Sequence, residues 1–371
     1  MVDILNFANP NASYIAHSAE IDLAIRRVLD SSKYILGDEV EKFEAEFAEY
    51  LGVKDFVGVN SGTDALVLSM RALDLAPGDE VIVPSHTATA TVAAVILAGG
   101  TPVFADVDLA TFTLDPLSVK KAITRRTKII IAVHLYGQAC DMESLIAVAR
   151  DYSLEIIEDC AQAHGAMFNE RKVGSFGVLS CFSFFPTKNL GGVGDGGGIA
   201  TNSLELALKI KSLRQYGWNE QRISTLVSGV SRLDEMQAAI LRIKLQYLDA
   251  SNRKRIHIAS TYDQRLSELE LQTPVRRRNT LHVFHLYVVK MDNRESVIEI
   301  LKKSGVNPGI HYPVPNHLHP TFRKFTRKKN ALVNTENLSS RILSLPMYPE
   351  MTADQVSKVI EALSAAVKVC K

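Results

Sequence analysis

One lysine stands at an unusual place in this sequence. Lys188 follows an apolar run from Leu179 to Phe185, which is typical of a short buried strand, and it precedes a glycine-dense loop from Gly191 to Gly198. Pro186 ends the strand, because proline cannot continue a central ladder. Burial lowers the pKa of a lysine, and a neutral amine can attack a carbonyl carbon. These properties suit a lysine that forms a Schiff base, although a solvated charge is the usual role of a single lysine.

Polar residues also follow two other predicted strands. Asp159 comes directly after the apolar strand from Leu154 to Glu158, and a buried acid is costly unless it pairs with a cation. The turn Ser61-Gly62-Thr63 lies between a strand and a helix, and the free N–H groups of a helix N-terminus suit a phosphate. Taken alone, Asp159 is explained by a structural aspartate in a turn, and the Ser61 turn is explained by a plain N-cap. A phosphate turn, a buried acid and a lysine together indicate a phosphorylated cofactor with a protonated pyridine nitrogen.

The elements around these residues predict the fold class. Strands and helices alternate between Glu80 and Glu158, which is typical of an α/β doubly wound sheet. The continuous apolar run from Lys128 to His134 indicates a parallel strand that is buried on both faces. Ligands of such sheets lie at the carboxyl ends of the strands, which would bring the three groups together. Nearer the N-terminus, Asp38 and Glu41 predict a capping box at the start of a helix.

The length of 371 residues is too great for one small core and suits a large domain with a smaller one. The composition shifts after Asp249, where residues 251–266 are predicted to form a long helix that leads into an α+β unit. We therefore expect residues 1–248 to form a large domain with an irregular N-terminal arm. Residues 249–371 are expected to form a small C-terminal domain.

Composition argues against several classes of protein. The net charge of +1 gives no reason to expect nucleic acid or an anionic membrane as a partner. No apolar run reaches the roughly 18 residues of a membrane span, and the N-terminus lacks the pattern of a signal peptide. The four cysteines form no CxxC pair, which favours reduced thiols in a cytoplasmic protein. The histidines and cysteines lack the spacing of metal ligands, so we expect no metal.

Two further patterns have simple explanations. Gly192 to Gly197 formally fits the dinucleotide motif GxGxxG, but a strand rather than a helix is predicted to follow it. Basic clusters lie in presumed loops at Arg276 to Arg278 and at Arg323-Lys324 with Arg327 to Lys329. Solvated surface charge explains these clusters better than a site for a nucleotide diphosphate, which remains the alternative.

The segments that carry the candidate chemistry are Ser61-Gly62-Thr63, Glu158-Asp159-Cys160-Ala161-Gln162-Ala163-His164-Gly165 and Ser183-Phe184-Phe185-Pro186-Thr187-Lys188-Asn189-Leu190-Gly191. On these segments the sequence resembles the DegT/DnrJ/EryC1/StrS family of pyridoxal-phosphate (PLP) sugar aminotransferases. The likeness extends from about residue 20 to residue 365. It implies PLP fold type I, the aspartate-aminotransferase fold. This fold has a large domain with a mostly parallel central sheet flanked by helices, and a smaller C-terminal α+β domain.

The resemblance also implies roles for the matching residues. Lys188 would form the Schiff base with pyridoxal 5'-phosphate and later move the proton, and Asp159 would pair with the pyridine nitrogen. The other cofactor contacts would be Gln162 to the phenolic oxygen, and Ser183, Gly62 and Thr63 to the phosphate. The expected substrate contacts are His164, Arg232 and Tyr312.

Two positions depart from the pattern of the family. Ala88 stands where family members usually carry an aromatic residue that stacks on the cofactor ring. Either His86 contacts the ring instead, or fewer contacts hold the ring in this chain. Val230 stands where the family often has an asparagine that reaches the phosphate of the partner subunit. Either phosphate binding across the dimer is weaker in this chain, or Ser231 or Arg232 substitutes for the asparagine.

The resemblance implies transfer of an amino group from L-glutamate to a nucleotide-linked ketodeoxysugar, by a homodimer with active sites at the subunit boundary. The segments 84–87 and 214–218 favour a 3-ketosugar over a 4-ketosugar, and we take a dTDP-3-keto-6-deoxyhexose as the expected acceptor. The sequence leaves open whether the nucleotide is dTDP, UDP or GDP. The alternatives are a 4-ketosugar aminotransferase, a PLP sugar dehydratase and a non-catalytic regulatory homologue. The dehydratase branch has histidine in place of the lysine, so Lys188 argues against it.

Overall fold

The computed structural model describes residues 4–269, 271–327 and 332–370. Its helices are α1 Pro10–Ala16, α2 Ser18–Ser31, α3 Asp38–Leu51, α4 Gly62–Ala72, α5 Thr89–Leu97, α6 Pro116–Ala122, α7 Met142–Tyr152, α8 Leu204–Leu213, α9 Glu235–Leu266, α10 Arg294–Lys303, α11 Val333–Ser339 and α12 Ala353–Val369. Its strands are β1 Leu5–Asn6, β2 Asp55–Val59, β3 Glu80–Pro84, β4 Thr101–Ala105, β5 Thr127–Val133, β6 Glu155–Asp159, β7 Met167–Phe168, β8 Arg171–Lys172, β9 Leu179–Ser183, β10 Gly197–Thr201, β11 Thr280–Leu281, β12 Tyr287–Lys290, β13 Val306–Asn307 and β14 Ile342–Leu345. Across these ranges, no helix combines the length and the hydropathy needed to cross a membrane.

A seven-stranded sheet forms the centre of the chain, with the strand order β2-β10-β9-β6-β5-β3-β4. The neighbouring strands from β9 to β4 are parallel, and β10 alone runs against its two neighbours, β9 and β2. The carboxyl ends of β2, β3, β5, β6 and β9 therefore meet at one edge of the sheet. The predicted α/β class with a mostly parallel sheet is confirmed.

Helices cover both faces of this sheet, so that its central strands are buried on both sides. On one face, α3, α6, α7 and α9 contribute to one core, which includes the aromatic residues Phe43, Phe47 and Phe182. On the other face, α4, α5 and α8 supply apolar residues such as Leu66, Val92 and Ile210. Burial of these side chains is the main favourable term for a doubly wound sheet, at roughly 1.5–3 kcal/mol for each large apolar residue.

A smaller core lies around the antiparallel pair β12–β14, and α10 and α12 supply much of its apolar surface. The C-terminal half of α9 also enters this core through Ile258 and Tyr262, whereas its N-terminal half packs into the large core through Leu241 and Leu248. The helix predicted from residue 251 therefore begins earlier, at Glu235. The expected domain boundary at residues 248 and 249 falls inside α9, and the division into two domains stays a prediction.

The capping box predicted for α3 is wrong. The N-cap residue is Gly37, which has no side chain to accept a hydrogen bond. The distant Glu235 carboxylate accepts hydrogen bonds from the N–H groups of Gly37, Glu39 and Val40, at 2.7, 2.9 and 2.9 Å. A carboxylate at this position also complements the positive end of the helix dipole. The first turn of α3 is thus attached to the first turn of α9, at the side of the large core.

Candidate active site

A cavity of about 210 Å³ lies at the carboxyl edge of the central sheet. We refer to it as the strand-end cavity. Its lining includes residues that follow β2, β6 and β9, together with the start of α5, and consists of Ser61, Gly62, Thr63, Leu66, Thr87, Ala88, Ala90, Thr91, Val133, Leu135, Asp159, Ala161, Gln162, Ser183, Phe185, Lys188, Asp195 and Gly196. The structure therefore brings together the lysine, the acid, the glutamine and the phosphate turn that the sequence singles out.

Lys188 lies in a turn after β9, in which its N–H donates to the carbonyl oxygen of Phe185 at 2.8 Å. Burial lowers the pKa of the Lys188 amine to about 8, and the nearby Asp159 carboxylate opposes this shift. A pKa of about 8 leaves roughly a tenth of the amine neutral at pH 7, whereas an ordinary lysine is almost fully charged. The site thus prepares Lys188 for attack on a carbonyl carbon.

Asp159 is the last residue of β6, and its side chain is buried. Thr91 Oγ1 donates to Asp159 Oδ2 at 2.9 Å, and the N–H of Ala161 donates to Oδ1 at 3.2 Å. Burial raises the pKa of Asp159, while these two hydrogen bonds and the charge of Lys188 act in the opposite direction. A buried carboxylate of this kind gains from a further cation in the cavity.

Gln162 connects the strand-end cavity to the C-terminal part of the chain. Its Oε1 accepts from the N–H of Tyr136 at 2.8 Å, and its Nε2 donates to the Tyr312 hydroxyl at 3.0 Å. Burial raises the pKa of Tyr312 to about 12, so this phenol stays neutral. The structure brings Tyr312 against the site through Gln162. A substrate contact of Tyr312 stays a prediction.

The turn after β2 has the geometry of an anion site. Ser61 is the N-cap of α4, and its side chain accepts from the N–H of Asp64 at 3.1 Å. Gly62 lies so close to Ser183 that a Cβ atom at residue 62 would be 2.6 Å from the Ser183 Cβ atom. Glycine is therefore required here, and the hydroxyls of Thr63 and Ser183 line the same cavity beside the helix N-terminus.

Ser231 makes contacts within its own chain. Its hydroxyl donates to Asp64 Oδ2 at 2.7 Å and accepts from the N–H of Asn60 at 3.2 Å. Ser231, one of the two residues expected to substitute for the missing asparagine, thus forms hydrogen bonds to both sides of the Ser61-Gly62-Thr63 turn within its own chain. Arg232 is partly buried and, within the described ranges, is absent from the cavity lining. Its role in substrate binding stays a prediction.

The cavity lining includes Ala88, but His86 is not among the described residues that form it. His86 is buried, and its Nε2 lies 2.7 Å from the Tyr136 hydroxyl. Because the Tyr136 hydroxyl gives its proton to the carbonyl oxygen of His311, Nε2 of His86 must be the donor in this pair. Burial lowers the pKa of His86 to about 4, so the ring is neutral. The expected contact of His86 with the cofactor ring is not supported by this position and stays a prediction.

His164 is completely buried, with ring centroids 5.6 Å from Phe182 and 5.8 Å from Phe184. Burial, followed by the charge of Lys188, lowers the pKa of His164 to about 3. The side chain therefore packs as a neutral ring in the large core. A substrate contact of His164 is not supported by this position and stays a prediction.

Three arginines of the basic clusters form ion pairs with residues that do not line the cavity. Arg276 pairs with Asp263, Arg277 with Asp141 at 3.2 Å, and Arg327 with the buried Glu80 at 2.6 Å. Lys328 and Lys329 lie outside the described residues. These contacts are those of structural charges, and they lend no support to a nucleotide site at these positions.

A buried group of potential metal ligands lies behind Asp159. Ligand atoms of His134, Glu158 and Cys160 lie within 4.8 Å of one another. The Glu158 carboxylate, however, is already surrounded by donors, namely His134 Nε2, Ser180 Oγ and the N–H groups of Gly174, Phe176 and Gly177. This group therefore anchors the end of β6 through hydrogen bonds.

Several residues that shape the site have no clear signal in the sequence. Thr91 lies in the first turn of α5, four residues after Thr87, and the two hydroxyls are 3.1 Å apart. The spacing of the two threonines was the available signal. Tyr136 reaches the site through its N–H group, which a sequence pattern does not reveal. Phe185 and Asp195 lie in recognised segments, and their place in the lining depends on the path of the loop.

The residues of the strand-end cavity fit pyridoxal phosphate. Gly62, Thr63 and Ser183 form a close-packed cradle at a helix N-terminus, which suits the phosphate. The incompletely compensated Asp159 carboxylate suits a protonated ring nitrogen, and the Lys188 amine suits the aldehyde carbon.

Comparison with known proteins agrees with this chemistry. The sequence model described as the DegT/DnrJ/EryC1/StrS aminotransferase family matches residues 16–364. The chain is 44% identical over 365 residues to the dTDP-3-amino-3,6-dideoxy-alpha-D-galactopyranose transaminase of Aneurinibacillus thermoaerophilus, which covers 98% of this chain and 99% of that protein. It is 43% identical over 358 residues to the UDP-N-acetyl-3-dehydro-alpha-D-glucosamine 3-aminotransferase of Acidithiobacillus ferrooxidans, which covers 95% of this chain and 96% of that protein.

The fold also matches solved structures. The crystal structure of Streptomyces venezuelae DesV in complex with a ketimine intermediate superposes with a TM-score of 0.95 and 44% identity, and the match covers 98% of each chain. A DegT DnrJ EryC1 StrS aminotransferase from Brucella abortus gives a TM-score of 0.94 at 34% identity, covering 97% of this chain and 99% of that chain.

Proposed function

The chain belongs to the DegT/DnrJ/EryC1/StrS aminotransferase family of PLP-dependent enzymes, and from this membership we propose its substrates. The proposed reaction moves an amino group from L-glutamate to the keto carbon of a nucleotide-linked ketodeoxysugar, for the biosynthesis of an amino sugar. The observation that carries the proposal is the meeting of Lys188, Asp159 and the Gly62 turn in one cavity.

The proposed acceptor is a dTDP-3-keto-6-deoxyhexose. The Aneurinibacillus relative is named for a dTDP-linked sugar and the Acidithiobacillus relative for a UDP-linked one, and both names place the amino group at carbon 3. Position 3 thus has support from both relatives and from the sequence segments 84–87 and 214–218, whereas the dTDP nucleotide is supported by only the first of these two relatives.

PLP, when bound, supplies an electron sink that stabilises negative charge next to the carbon–nitrogen bond of the substrate. In the proposed roles, Asp159 keeps the ring nitrogen protonated and Gln162 holds the phenolic oxygen. Gly62, Thr63 and Ser183 anchor the phosphate. Lys188 would attach the cofactor between turnovers. Its freed amine would remove the proton from the amino-bearing carbon of L-glutamate in the first half-reaction and would deliver a proton to the former keto carbon of the sugar in the second.

We also propose a homodimer. The segment before Arg232 exposes apolar side chains, including Ile223 and Val227, and it connects to the phosphate turn through Ser231. A second subunit that covers this segment would complete the wall of the cavity beside the phosphate. Sedimentation velocity at micromolar concentration measures this directly, and a monomer would contradict the proposal.

The visible absorption spectrum of the purified protein with PLP, before and after L-glutamate, tests the function. We expect a yellow band that L-glutamate bleaches and that D-glutamate leaves in place. A dTDP-linked 3-keto-6-deoxyhexose should then restore the band faster than the 4-keto isomer. Faster recovery with the 4-keto isomer would favour the second candidate, a 4-ketosugar aminotransferase. A protein that shows no band with PLP would overturn the aminotransferase function and favour a regulatory role.

A further inference from the structure

The long helix α9 presents a row of polar side chains to the loop that carries Lys188. We refer to residues 184–196 as the lysine loop. Gln237 Oε1 accepts from the N–H of Val193 at 2.9 Å, and Lys244 Nζ donates to the carbonyl oxygen of Gly191 at 2.8 Å. Residues separated by seven or eight positions lie on one face of a helix, so the next position of this row is residue 252.

Asn252 contacts the lysine loop directly beside Lys188. Its Oδ1 accepts from Asn189 Nδ2 at 2.9 Å, and the same Nδ2 also donates to the carbonyl oxygen of Val283 at 3.1 Å. Asn189 Oδ1 lies 3.1 Å from His285 Nδ1, which must be the donor because an amide oxygen only accepts. The side chain of the residue next to Lys188 is thus fixed from three directions.

The amide nitrogen of Asn252 bonds to the segment that follows Asp159. Asn252 Nδ2 donates to the carbonyl oxygen of His164 at 2.9 Å. The following residue is Gly165, with φ at +83°, and a Cβ atom there would lie 2.7 Å from Asn252 Nδ2. Asn252 is only 3% exposed, so water does not replace these bonds easily. One buried amide therefore joins the loop of Lys188 to the loop of Asp159.

We propose that Asn252 is a positioning residue that sets the separation between the Lys188 amine and the Asp159 carboxylate. The proposal rests on the proposed function, because these two groups act on the same cofactor. Coulomb attraction varies with distance and strengthens away from water, so a small displacement changes the proton affinity of both groups. Catalysis is similarly sensitive to displacements of about 1 Å.

Other titratable groups that face Lys188 do not carry this effect. These groups are His164, His285 and His311. Burial lowers the pKa of each of these histidines, so they are neutral near pH 7 and place no charge beside Lys188. Asp159 is the group whose charge raises the pKa of Lys188. The distance that Asn252 sets is therefore the distance to the charged partner.

Asn252→Leu tests the proposal, because leucine has a similar size and forms neither hydrogen bond. In the protein with bound PLP, we expect the pH midpoint of the visible band to shift by about half a unit or more. The kcat for L-glutamate should fall about tenfold or more, with the KM for the ketosugar within about twofold. Asn252→Ser carries a short hydroxyl that cannot reach both loops. It should shift the midpoint in whichever direction Asn252→Leu does, and it is the variant to use if leucine prevents folding.

Ile258→Ala is the matched control, since Ile258 is buried in the same helix but packs in the small core. It should lower the melting temperature and leave the midpoint in place. An unchanged midpoint and kcat in a folded Asn252 variant would overturn the proposal. If the wild-type chain shows no visible band with PLP, the proposed function fails. Nuclear magnetic resonance titration of ¹³C-methylated Lys188 then gives the same comparison without cofactor, and equal pKa values in wild type and variants would overturn the role of Asn252.

Discussion

Gly62 and Ser183 approach each other so closely that a Cβ atom on residue 62 would lie 2.6 Å from the Cβ atom of Ser183. Gly62 is the first residue of α4, and Ser183 is the last residue of β9. The contact brings the N–H groups of a helix N-terminus beside the strand that precedes Lys188. The proposed phosphate cradle and the proposed Schiff-base lysine therefore lie on two elements that are in direct contact.

Gly62→Ala should weaken PLP binding by about tenfold or more, because the added methyl group pushes α4 away from β9. A titration of the apoprotein with PLP, followed by absorbance, measures the Kd. Ser340→Ala is the control, since Ser340 is exposed and lies outside both the cavity lining and the segment before Arg232. Equal affinities for PLP in the two variants would show that the Gly62 contact does not form the cradle.

Lys188→Ala should abolish turnover, with a loss of at least roughly a thousandfold, because the amine both holds the cofactor and moves the proton. Sodium borohydride should fix PLP covalently to the wild-type chain and leave the variant unmodified, as read by mass spectrometry. Substitution of the exposed Lys120 should change neither result. Covalent capture of PLP by the alanine variant would assign the Schiff base to another lysine.

Lys188→Met should stabilise the protein in the absence of PLP. The folded state holds the Lys188 pKa at about 8, below the value near 10.4 of an unfolded chain, so the unfolded state binds more protons between these values. The wild-type protein is therefore penalised fully below about pH 8, and the penalty fades as the pH rises towards 10.4. We expect a gain of about 1–3 kcal/mol at pH 7 that shrinks above pH 8.

Denaturant unfolding of both proteins at pH 7, 8.5 and 10 measures this gain. Lys120→Met serves as the surface control, for which the free energy of unfolding should change little at any pH. A constant difference between wild type and the Lys188 variant from pH 7 to pH 10 would show that the Lys188 pKa is not lowered.

Thr91→Val should lower the rate of the half-reaction with L-glutamate by about tenfold, because Asp159 loses a hydrogen bond to its charged form. The pKa of Asp159 then rises further, so the loss of activity on the acid side should begin at a higher pH. Stopped-flow absorbance across the pH range provides the profile. Thr113→Val removes another buried threonine hydroxyl, which bonds Thr111, and should leave the acid limb unchanged.

The sequence was sufficient to predict that Asp159, Lys188 and the Gly62 turn lie together at one edge of the sheet. Asp159 and Lys188 each follow an apolar run, and the Gly62 turn follows a third. The carboxyl ends of parallel strands meet at one edge, so the α/β pattern alone implies that these groups converge. The prediction succeeded because each residue is adjacent in sequence to the strand that positions it.

Contacts between distant segments could not be predicted in this way. Asp38 and Glu41 satisfy the local pattern of a capping box, yet Glu235, which is 196 residues after Glu39 in the sequence, caps the helix instead. His86 and His164 lie next to recognised motifs, but both are buried and neither is among the described residues that line the strand-end cavity. Local pattern fixes which residues lie near a strand end, whereas side-chain packing decides which of them face the ligand.

Helix α9 has 32 residues and therefore a length of roughly 48 Å, with Leu248 in one core and Tyr262 in the other. A cut between residues 248 and 249 would divide this helix in its middle and expose an apolar face on each half. The two parts of the chain are therefore unsuited to separate expression at that point, and a boundary chosen for a truncated protein must lie outside Glu235–Leu266. Because α9 contributes apolar residues to both cores, a change that disrupts the packing of one core is expected to destabilise the helix that the other core also needs.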